Sequence, residues 1–168
     1  RIVAADEKQR FSLIEDATRG GLLIRANQGH TVRGLEEREL LSEVTDAAEV
    51  PVCVHGTTME AWESIRTSGL SPMGRTHVHF AAGLPGDSGV ISGMRKRSAV
   101  LVFLDVPRAM AAGLRVWRSS NNVLLTAHVA PELFSHAVHT HTSRILVDNR
   151  GRDGEGAAAA TGGAGGAS

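Results

Sequence analysis

The stretch Leu23-Ile24-Arg25-Ala26-Asn27-Gln28-Gly29-His30 passes from two aliphatic residues straight into a polar cluster. The two aliphatic residues predict the end of a buried strand that delivers Arg25 to a concave surface. The planar guanidinium of Arg25 can bind two oxygens at once, which suits a phosphate or a carboxylate. Taken alone, the pattern also fits an ordinary strand end with a surface arginine. Further hydrogen-bonding groups follow on Asn27, Gln28 and His30.

Length and charge narrow the class of protein. The chain has 168 residues, enough for one domain with a substantial core. Its 18 Lys and Arg balance its 18 Asp and Glu, so overall charge gives no support for nonspecific nucleic-acid binding. All the basic residues except Lys8 and Lys96 are arginines, and arginine favours geometric recognition of anions.

The compartment is predicted from the single cysteine and the hydropathy pattern. Cys53 lies in the apolar run 50–54, which predicts a buried thiol and excludes a disulfide framework. No apolar stretch approaches the ~18 residues of a membrane span. We therefore expect an intracellular protein, cytoplasmic or nuclear, with no membrane partner, and we expect a monomer.

The composition divides the chain into three parts: a first lobe (1–48), a second lobe (49–150) and a Gly/Ala-rich tail (151–168) that we expect to be disordered. The joint between the lobes lies at Ala47 to Glu49 and Pro51. In the first lobe, strands are predicted at 11–14 and 21–25 and a helix from Leu35 to about Val44, in a β-β-α or winged arrangement.

The second lobe is predicted to consist mostly of strands, at 52–55, 77–80, 99–105, 116–117, 123–126 and 144–148. One helix is predicted from Thr57 to Ser68, because Thr57 and Glu60 have capping-box spacing and Gly69 is a plausible stop. Trp62 and Ile65 fall at helical spacing and should face the core. Many short strands with one good helix predict an α+β fold.

Three further segments carry residues that could bind or react. His55-Gly56-Thr57 lies where a strand is predicted to become a helix, so it could bind an anion or simply cap the helix. His77 and His79 share a strand face, but the spacing typical of a zinc site is absent, and we expect no metal. Ser92-Gly93-Met94-Arg95 fits either an anion-binding loop or a solvated basic turn.

Several mechanisms are not supported by the sequence. No Ser-His-Asp order, P-loop or GxGxxG motif occurs. Acidic residues are scarce around the segments described above, so acid–base catalysis by paired carboxylates is not expected. Arginine, histidine and glycine accumulate at strand ends instead, and this combination suits holding phosphates.

Together, five motifs in order resemble the KptA-type RNA 2′-phosphotransferases, the NAD-dependent enzymes of tRNA splicing. The resemblance covers roughly residues 2–138. It rests on Ile24 to His30 (preceded by Lys8 to Phe11), His55 to Thr57 with Trp62 and Ile65, Arg75 to Ala81, Ser92 to Arg95, and Ser120 to Thr126.

The resemblance implies a fold and a set of site residues. It implies a small, incomplete, winged-helix-like RNA-binding lobe followed by an ADP-ribosyltransferase-like lobe that binds NAD in a cleft. His55 and His79 match the positions that flank the nicotinamide half of NAD. Val123 stands where many relatives of that superfamily have a catalytic glutamate. The remaining cofactor-binding candidates are Gly56, Thr57 and Ser92.

The activity implied by the resemblance has two steps. The RNA 2′-phosphate attacks C1″ of NAD and releases nicotinamide, and the 2″-hydroxyl of the resulting ADP-ribosylated RNA then attacks the phosphorus. The products are a free 2′-OH and ADP-ribose 1″,2″-cyclic phosphate. Arg25 and Arg95 match two members of the family's catalytic tetrad. The 2′-phosphorylated RNA would contact these two arginines together with Asn27, Gln28 and His30.

One departure from the family pattern concerns the other two members of the tetrad. They form an Arg-His pair upstream of the position equivalent to Arg1, and no Arg-His dipeptide occurs in this chain. We therefore expect that the start of the RNA-binding lobe is missing and that this chain is poorly active. The alternatives are an ADP-ribosyltransferase acting on RNA ends, or a noncatalytic RNA- or phosphate-binding module.

Overall fold

The computed structural model describes residues 3, 5–6, 9–16, 18, 20–27, 41–84, 86–87 and 98–151. Their elements, in chain order, are β1 (Phe11–Glu15), β2 (Leu22–Ala26), β3 (Leu41–Glu43), β4 (Val54–Thr57), α1 (Met59–Ser68), β5 (Val78–Ala81), β6 (Val100–Leu104), α2 (Val106–Ala111), β7 (Val116–Ser119), β8 (Val123–Thr126), β9 (Phe134–His139) and β10 (Ile145–Asp148). Short 3-10 turns lie at Ala47–Glu49 and Pro131–Leu133. The fold is α+β, as predicted.

Strands β1 and β2 form an antiparallel hairpin on their own, with Ser12 opposite Arg25. Its turn is closed by Asp16, whose side chain accepts from the Thr18 amide, and by Gly20, whose φ of 64° favours glycine. The predicted strand up to Arg25 is confirmed, but its predicted burial is wrong. Leu23 and Ile24 are 49% and 66% exposed, because no further strand of the described chain extends this sheet.

The other eight strands form one sheet in the order β10-β9-β6-β4-β5-β8-β7-β3, and every neighbouring pair is antiparallel. The sheet is two groups of four strands. A single residue pair, Val54 opposite Ala81, joins β4 of one group to β5 of the other. By contrast, β4 pairs with β6 over four residues and β5 pairs with β8 over four.

The main core cluster lies on the face of the sheet where α1 and α2 pack, and a smaller cluster around Val54 and Ala81 lies on the other face. Trp62 of α1 is buried against Phe134, and Ile65 packs at the margin of the same cluster, as predicted. Buried Cys53 also belongs to it, and burial raises the pKa of this thiol. Gly69 ends α1 as predicted, with a φ of 81°.

Several element boundaries differ from the prediction. Thr58, not Thr57, caps α1: its hydroxyl accepts from the Ala61 amide, while Thr57 still belongs to β4. The helix predicted up to about Val44 is wrong at Leu41–Glu43, which is a strand, and its earlier part lies outside the described residues.

Two further elements, α2 and β9, were not predicted from the sequence. The predicted lobe boundaries remain a prediction, although β3, from the predicted first lobe, pairs with β7 of the large sheet. The tail predicted as disordered lies almost entirely outside the described residues. Within the described part of the chain, neither helix is long and apolar enough to cross a membrane.

Candidate active site

The opening between β4 and β5 is the most distinctive feature of the large sheet. After Val54, β4 continues to pair with β6, and β5 pairs with β8, but the two strands no longer pair with each other. The His55 side chain spans this gap: its Nδ1 lies 2.8 Å from the carbonyl oxygen of His79. We call this opening, flanked by His55 and His79, the strand gap.

The hydrogen bond fixes the proton on the His55 ring. A carbonyl oxygen can only accept, so Nδ1 of His55 must donate. Burial lowers the pKa of His55, partly offset by this hydrogen bond. The neutral ring therefore carries its proton on Nδ1 and keeps Nε2 as a hydrogen-bond acceptor. Phe80 supports the ring in an edge-on contact with centroids 5.7 Å apart.

His79, on β5, makes the same kind of hydrogen bond as His55. Its Nδ1 lies 3.0 Å from the carbonyl oxygen of His77, so it donates and leaves Nε2 as the acceptor of the neutral ring. Burial is the main reason that the pKa of His79 is lowered, and the nearby Arg75 lowers it further. The strand gap is thus flanked by two neutral imidazoles with fixed tautomers.

Gly56 and Thr57 continue along β4, opposite Leu101 and Val100 of β6. Both are half-buried. Because Thr57 lies in the strand and α1 begins only after Thr58, the predicted helix N-terminus at Thr57 is wrong by one residue. Gly56 and Thr57 nevertheless lie directly beside His55 at the edge of the strand gap.

The apex of the strand gap is apolar. Val123 of β8 is opposite Ala81, which in turn is opposite Val54. All three side chains are buried. The position that the resemblance assigns to a catalytic glutamate elsewhere is therefore occupied here by a buried aliphatic side chain.

A buried polar turn that the site prediction left out fixes Val123. Ser119 Oγ lies 2.7 Å from Asn121 Oδ1 and accepts from the Val123 amide at 3.1 Å. Both Ser119 and Asn121 are buried. The signal in the sequence is Ser119-Ser120-Asn121-Asn122, which predicts a turn and forms part of the resemblance but does not by itself indicate a buried hydrogen-bonded network.

Arg25 and Asn27 lie on the hairpin. Asn27 is buried, and its side chain accepts from the Ser12 hydroxyl at 2.5 Å and donates to the Gln9 carbonyl at 2.7 Å. Nε of Arg25 is buried and has no hydrogen-bond partner among the described residues. A buried guanidinium nitrogen without a partner is costly, and it marks a place where a ligand oxygen could be accommodated.

The predicted site residues therefore fall into three groups. His55, Gly56, Thr57 and His79 meet at the strand gap, and Arg25 and Asn27 lie on the separate hairpin sheet. Within the described residues, no hydrogen bond, ion pair or ring contact joins these two groups. Outside the described residues lie the remaining candidates, Gln28, His30, Ser92 and Arg95. No group of three His, Cys, Asp or Glu side chains in the described chain could hold a metal ion.

The strand gap thus offers two neutral hydrogen-bond acceptors, and the separate hairpin offers a buried arginine nitrogen with no partner among the described residues. Comparison with known proteins makes the class specific. Residues 1–128 match the model of the RNA 2'-phosphotransferase, Tpt1 / KptA family. The chain belongs to this family.

Relatives are found from vertebrates to yeast. The chain is 44% identical to human tRNA 2'-phosphotransferase 1 over 86% of its own length and 58% of the human protein. For the Danio rerio protein of the same name the identity is 46%, over 86% of this chain and 64% of that protein. The Saccharomyces cerevisiae tRNA 2'-phosphotransferase is 37% identical, over 82% of this chain and 61% of the yeast protein. The chain thus spans about three fifths of the length of these relatives.

Proposed function

We propose that this chain catalyses the NAD-dependent removal of an internal 2′-phosphate from spliced tRNA, with low turnover because the Arg-His pair expected from the resemblance does not occur in it. The names of its relatives support the reaction, since three of them are tRNA 2'-phosphotransferases. The strand gap is the observation that carries the assignment to this chain. It supplies two hydrogen-bond acceptors of fixed tautomer beside a glycine, which suits the hydroxyl-rich ribose and the amide of NAD.

In this proposal, NAD is a consumed substrate bound at the strand gap. His55 and His79 flank its nicotinamide half, and Gly56 and Thr57 contact the nicotinamide ribose, with Ser92 as a further contact. Burial keeps both histidines neutral, so their Nε2 atoms accept from ribose hydroxyls and do not repel the cationic nicotinamide ring. This part of the chain would be the ADP-ribosyltransferase-like lobe, and the hairpin would belong to a winged-helix-like RNA-binding lobe.

The proposed chemistry has two balanced steps. In the first, an oxygen of the RNA 2′-phosphate forms a bond to C1″, and the C1″–N bond breaks to release neutral nicotinamide. In the second, the 2″-hydroxyl oxygen attacks phosphorus and the bond to the RNA 2′-oxygen breaks. That oxygen takes up a proton, giving a free 2′-OH and ADP-ribose 1″,2″-cyclic phosphate.

Arg25 and Arg95 are proposed to hold the 2′-phosphate and to stabilise charge that develops on it in the second step. Among the described residues Nε of Arg25 has no hydrogen-bond partner, and this supports the role because a phosphate oxygen would satisfy a buried donor. Asn27 is held by Ser12 and Gln9 and so positions the backbone that follows Arg25. Gln28 and His30 complete the proposed RNA contacts.

The experiment is to incubate the chain with NAD and an oligonucleotide carrying one internal 2′-phosphate, and to measure nicotinamide release and formation of the free 2′-OH separately. Arg25→Ala should slow the second step by roughly 100- to 1000-fold, the loss typical of removing one charge-stabilising donor. Arg66→Ala is the matched control, because Arg66 forms an exposed pair with Glu63 on α1.

Three outcomes would count against the proposal. Stable ADP-ribosylated RNA as the final product would indicate an RNA-end ADP-ribosyltransferase. RNA binding with no consumption of NAD would indicate a noncatalytic module. Unchanged rates of both steps in Arg25→Ala would remove Arg25 from the site.

A further inference from the structure

A layered cluster of charged and aromatic side chains lies beside the strand gap and is not used by the proposed reaction. The guanidinium carbon of Arg115 lies 5.1 Å from the centre of the Trp117 ring. The same guanidinium donates two hydrogen bonds of 2.7 Å each to the carboxylate of Glu43. His77 packs against Trp117 with ring centroids 5.5 Å apart. We call Arg115, Trp117, Glu43 and His77 the stacking cluster.

The cluster lies on the same face of the sheet as His79. Trp117 is directly opposite Leu125, and Leu125 is directly opposite His79. Directly opposed residues of neighbouring strands point to the same face, and neighbouring strands lie about 4.8 Å apart. Trp117 is therefore about 10 Å from His79 across the sheet.

The outer layer of the cluster is accessible and held in one orientation. The Arg115 side chain is 58% exposed although it lies against Trp117. A guanidinium gripped at two nitrogens by one carboxylate loses much of its rotational freedom. Its remaining flat surface is a preorganised cationic plane. RNA-binding proteins use guanidinium planes, like aromatic rings, to stack unpaired bases.

A purely structural role is the competing explanation. Glu43 is opposite Trp117 in the pairing of β3 with β7, so the ion pair also fastens this edge strand. Fastening needs opposite charges only, and a lysine at position 115 would provide that. Stacking needs the flat guanidinium, which lysine lacks. The two roles therefore differ in what an Arg115→Lys substitution does.

The geometry points to a nucleobase subsite: Arg115, backed by Trp117 and fixed by Glu43, stacks a base of the RNA next to the 2′-phosphorylated nucleotide. This inference rests on the proposed function for the identity of the substrate. Its location on the His79 face means that the subsite would hold RNA near the strand gap without touching the reacting atoms.

The test uses two oligonucleotides with the same internal 2′-phosphate, one with all its bases and one abasic at the flanking nucleotides. Binding is measured without NAD by fluorescence anisotropy. Arg115→Ala and Arg115→Lys should both weaken binding of the first oligonucleotide by roughly 5- to 150-fold, the range for loss of one stacked base. Both should bind the abasic oligonucleotide within about twofold of the unsubstituted chain.

Controls separate stacking from stability and from the NAD site. Trp117→Phe should keep most of the binding and Trp117→Leu should lose it, because only the former supports the guanidinium with a ring. Arg66→Ala and Arg66→Lys should have no effect. Thermal unfolding identifies any variant that does not fold, and KM for NAD should stay unchanged in every variant that does.

The inference is overturned if Arg115→Lys restores binding, if the loss is equal with the abasic oligonucleotide, or if the unsubstituted chain does not bind the oligonucleotide. Failure of the proposed function has a different signature. The unsubstituted chain would then bind RNA with the predicted dependence on Arg115 and on the flanking base, yet transfer no phosphate to NAD.

Discussion

The antiparallel hairpins β1–β2 and β7–β8 both end in an apolar strand, but one of these strands is exposed and the other is buried. In β2, the residues Leu22, Leu23 and Ile24 are all exposed. In β8, every residue from Val123 to Thr126 is buried. The difference lies in the neighbouring strands: β8 has β5 on one side and β7 on the other, whereas among the described strands β2 pairs only with β1. An apolar strand pattern thus predicts a strand, and the elements that pack on it decide whether it is buried.

The largest effect on the free energy of unfolding is expected from replacing a glycine beside the large sheet. A glycine in the β1–β2 turn provides the comparison. A Cβ at Gly69 would lie 2.2 Å from the Val129 carbonyl oxygen, and its φ of 81° strains any other residue. Gly69→Ala should lower the free energy of unfolding by about 4 kcal/mol, through backbone strain and forced displacement. Gly20 has a φ of 64° but open space around it, so Gly20→Ala should cost about 1 kcal/mol.

Chemical denaturation of the two variants measures this contrast. A similar small loss in both would mean that the backbone near Val129 yields, and that the large sheet is no more rigid than the hairpin. The Leu70–Val129 bridge next to Gly69 makes that outcome unexpected, because its two backbone hydrogen bonds of 2.8 and 2.9 Å hold the segment in place.

Local sequence patterns predicted most strands but not which strands pair with each other. Hydropathy and capping patterns, which act over a few residues, predicted the strand that ends at Thr126, the end of α1 at Gly69 and the burial of Trp62 and Cys53. The strand β9 was missed because its apolar positions are interrupted by a bulge opposite β6. The short helix α2 does carry a signal, since Asp105 caps it and a proline stands in its first turn.

A second comparison of the hairpins introduces a Leu→Ala substitution into β8 and into β2. Leu124→Ala in β8 removes a fully buried side chain, which should lower the free energy of unfolding by about 3 kcal/mol. Leu22→Ala in β2 removes a side chain that is largely exposed, and should change it by less than about 0.5 kcal/mol. Urea titrations of both variants test this. A comparable loss in Leu22→Ala would show that the hairpin face is covered in solution.

The candidate site was predictable to a different extent. His55, Gly56 and His79 became candidates through their local sequence and through the resemblance, but no local pattern indicated that β4 and β5 share only one residue pair. That separation depends on the register of both strands with their outer neighbours, β6 and β8. The carbonyl partners of the histidines also depend on it, so their tautomers and lowered pKa values could not be predicted from spacing.

A smaller effect compares the buried asparagine of each hairpin. Asn27 bonds to Ser12 and Gln9 at the base of the first hairpin, and Asn121 bonds to Ser119 in the β7–β8 turn. Replacing either with Ala should cost about 1–2 kcal/mol, because partners are left unsatisfied. Hydrogen exchange should show faster opening only of the hairpin that carries the change. Faster exchange in both would mean that the two hairpins open as one unit.

The smallest expected effect is a pH dependence confined to the large sheet. Burial lowers the pKa of His55 from its ordinary value of about 6.5. Below pH 6.5 the unfolded chain therefore binds a proton that the folded chain does not bind. The stability contributed by the neutral ring is therefore fully present above pH 6.5 and is lost as the pH falls towards the folded pKa. His79 and His136 act in the same direction.

His55→Asn should make the fall in unfolding free energy from pH 8 to pH 5 shallower, while Leu22→Ala should leave it unchanged. Because the His55 ring spans the strand gap, an equally steep fall in His55→Asn would mean that this ring already takes up its proton in the folded chain.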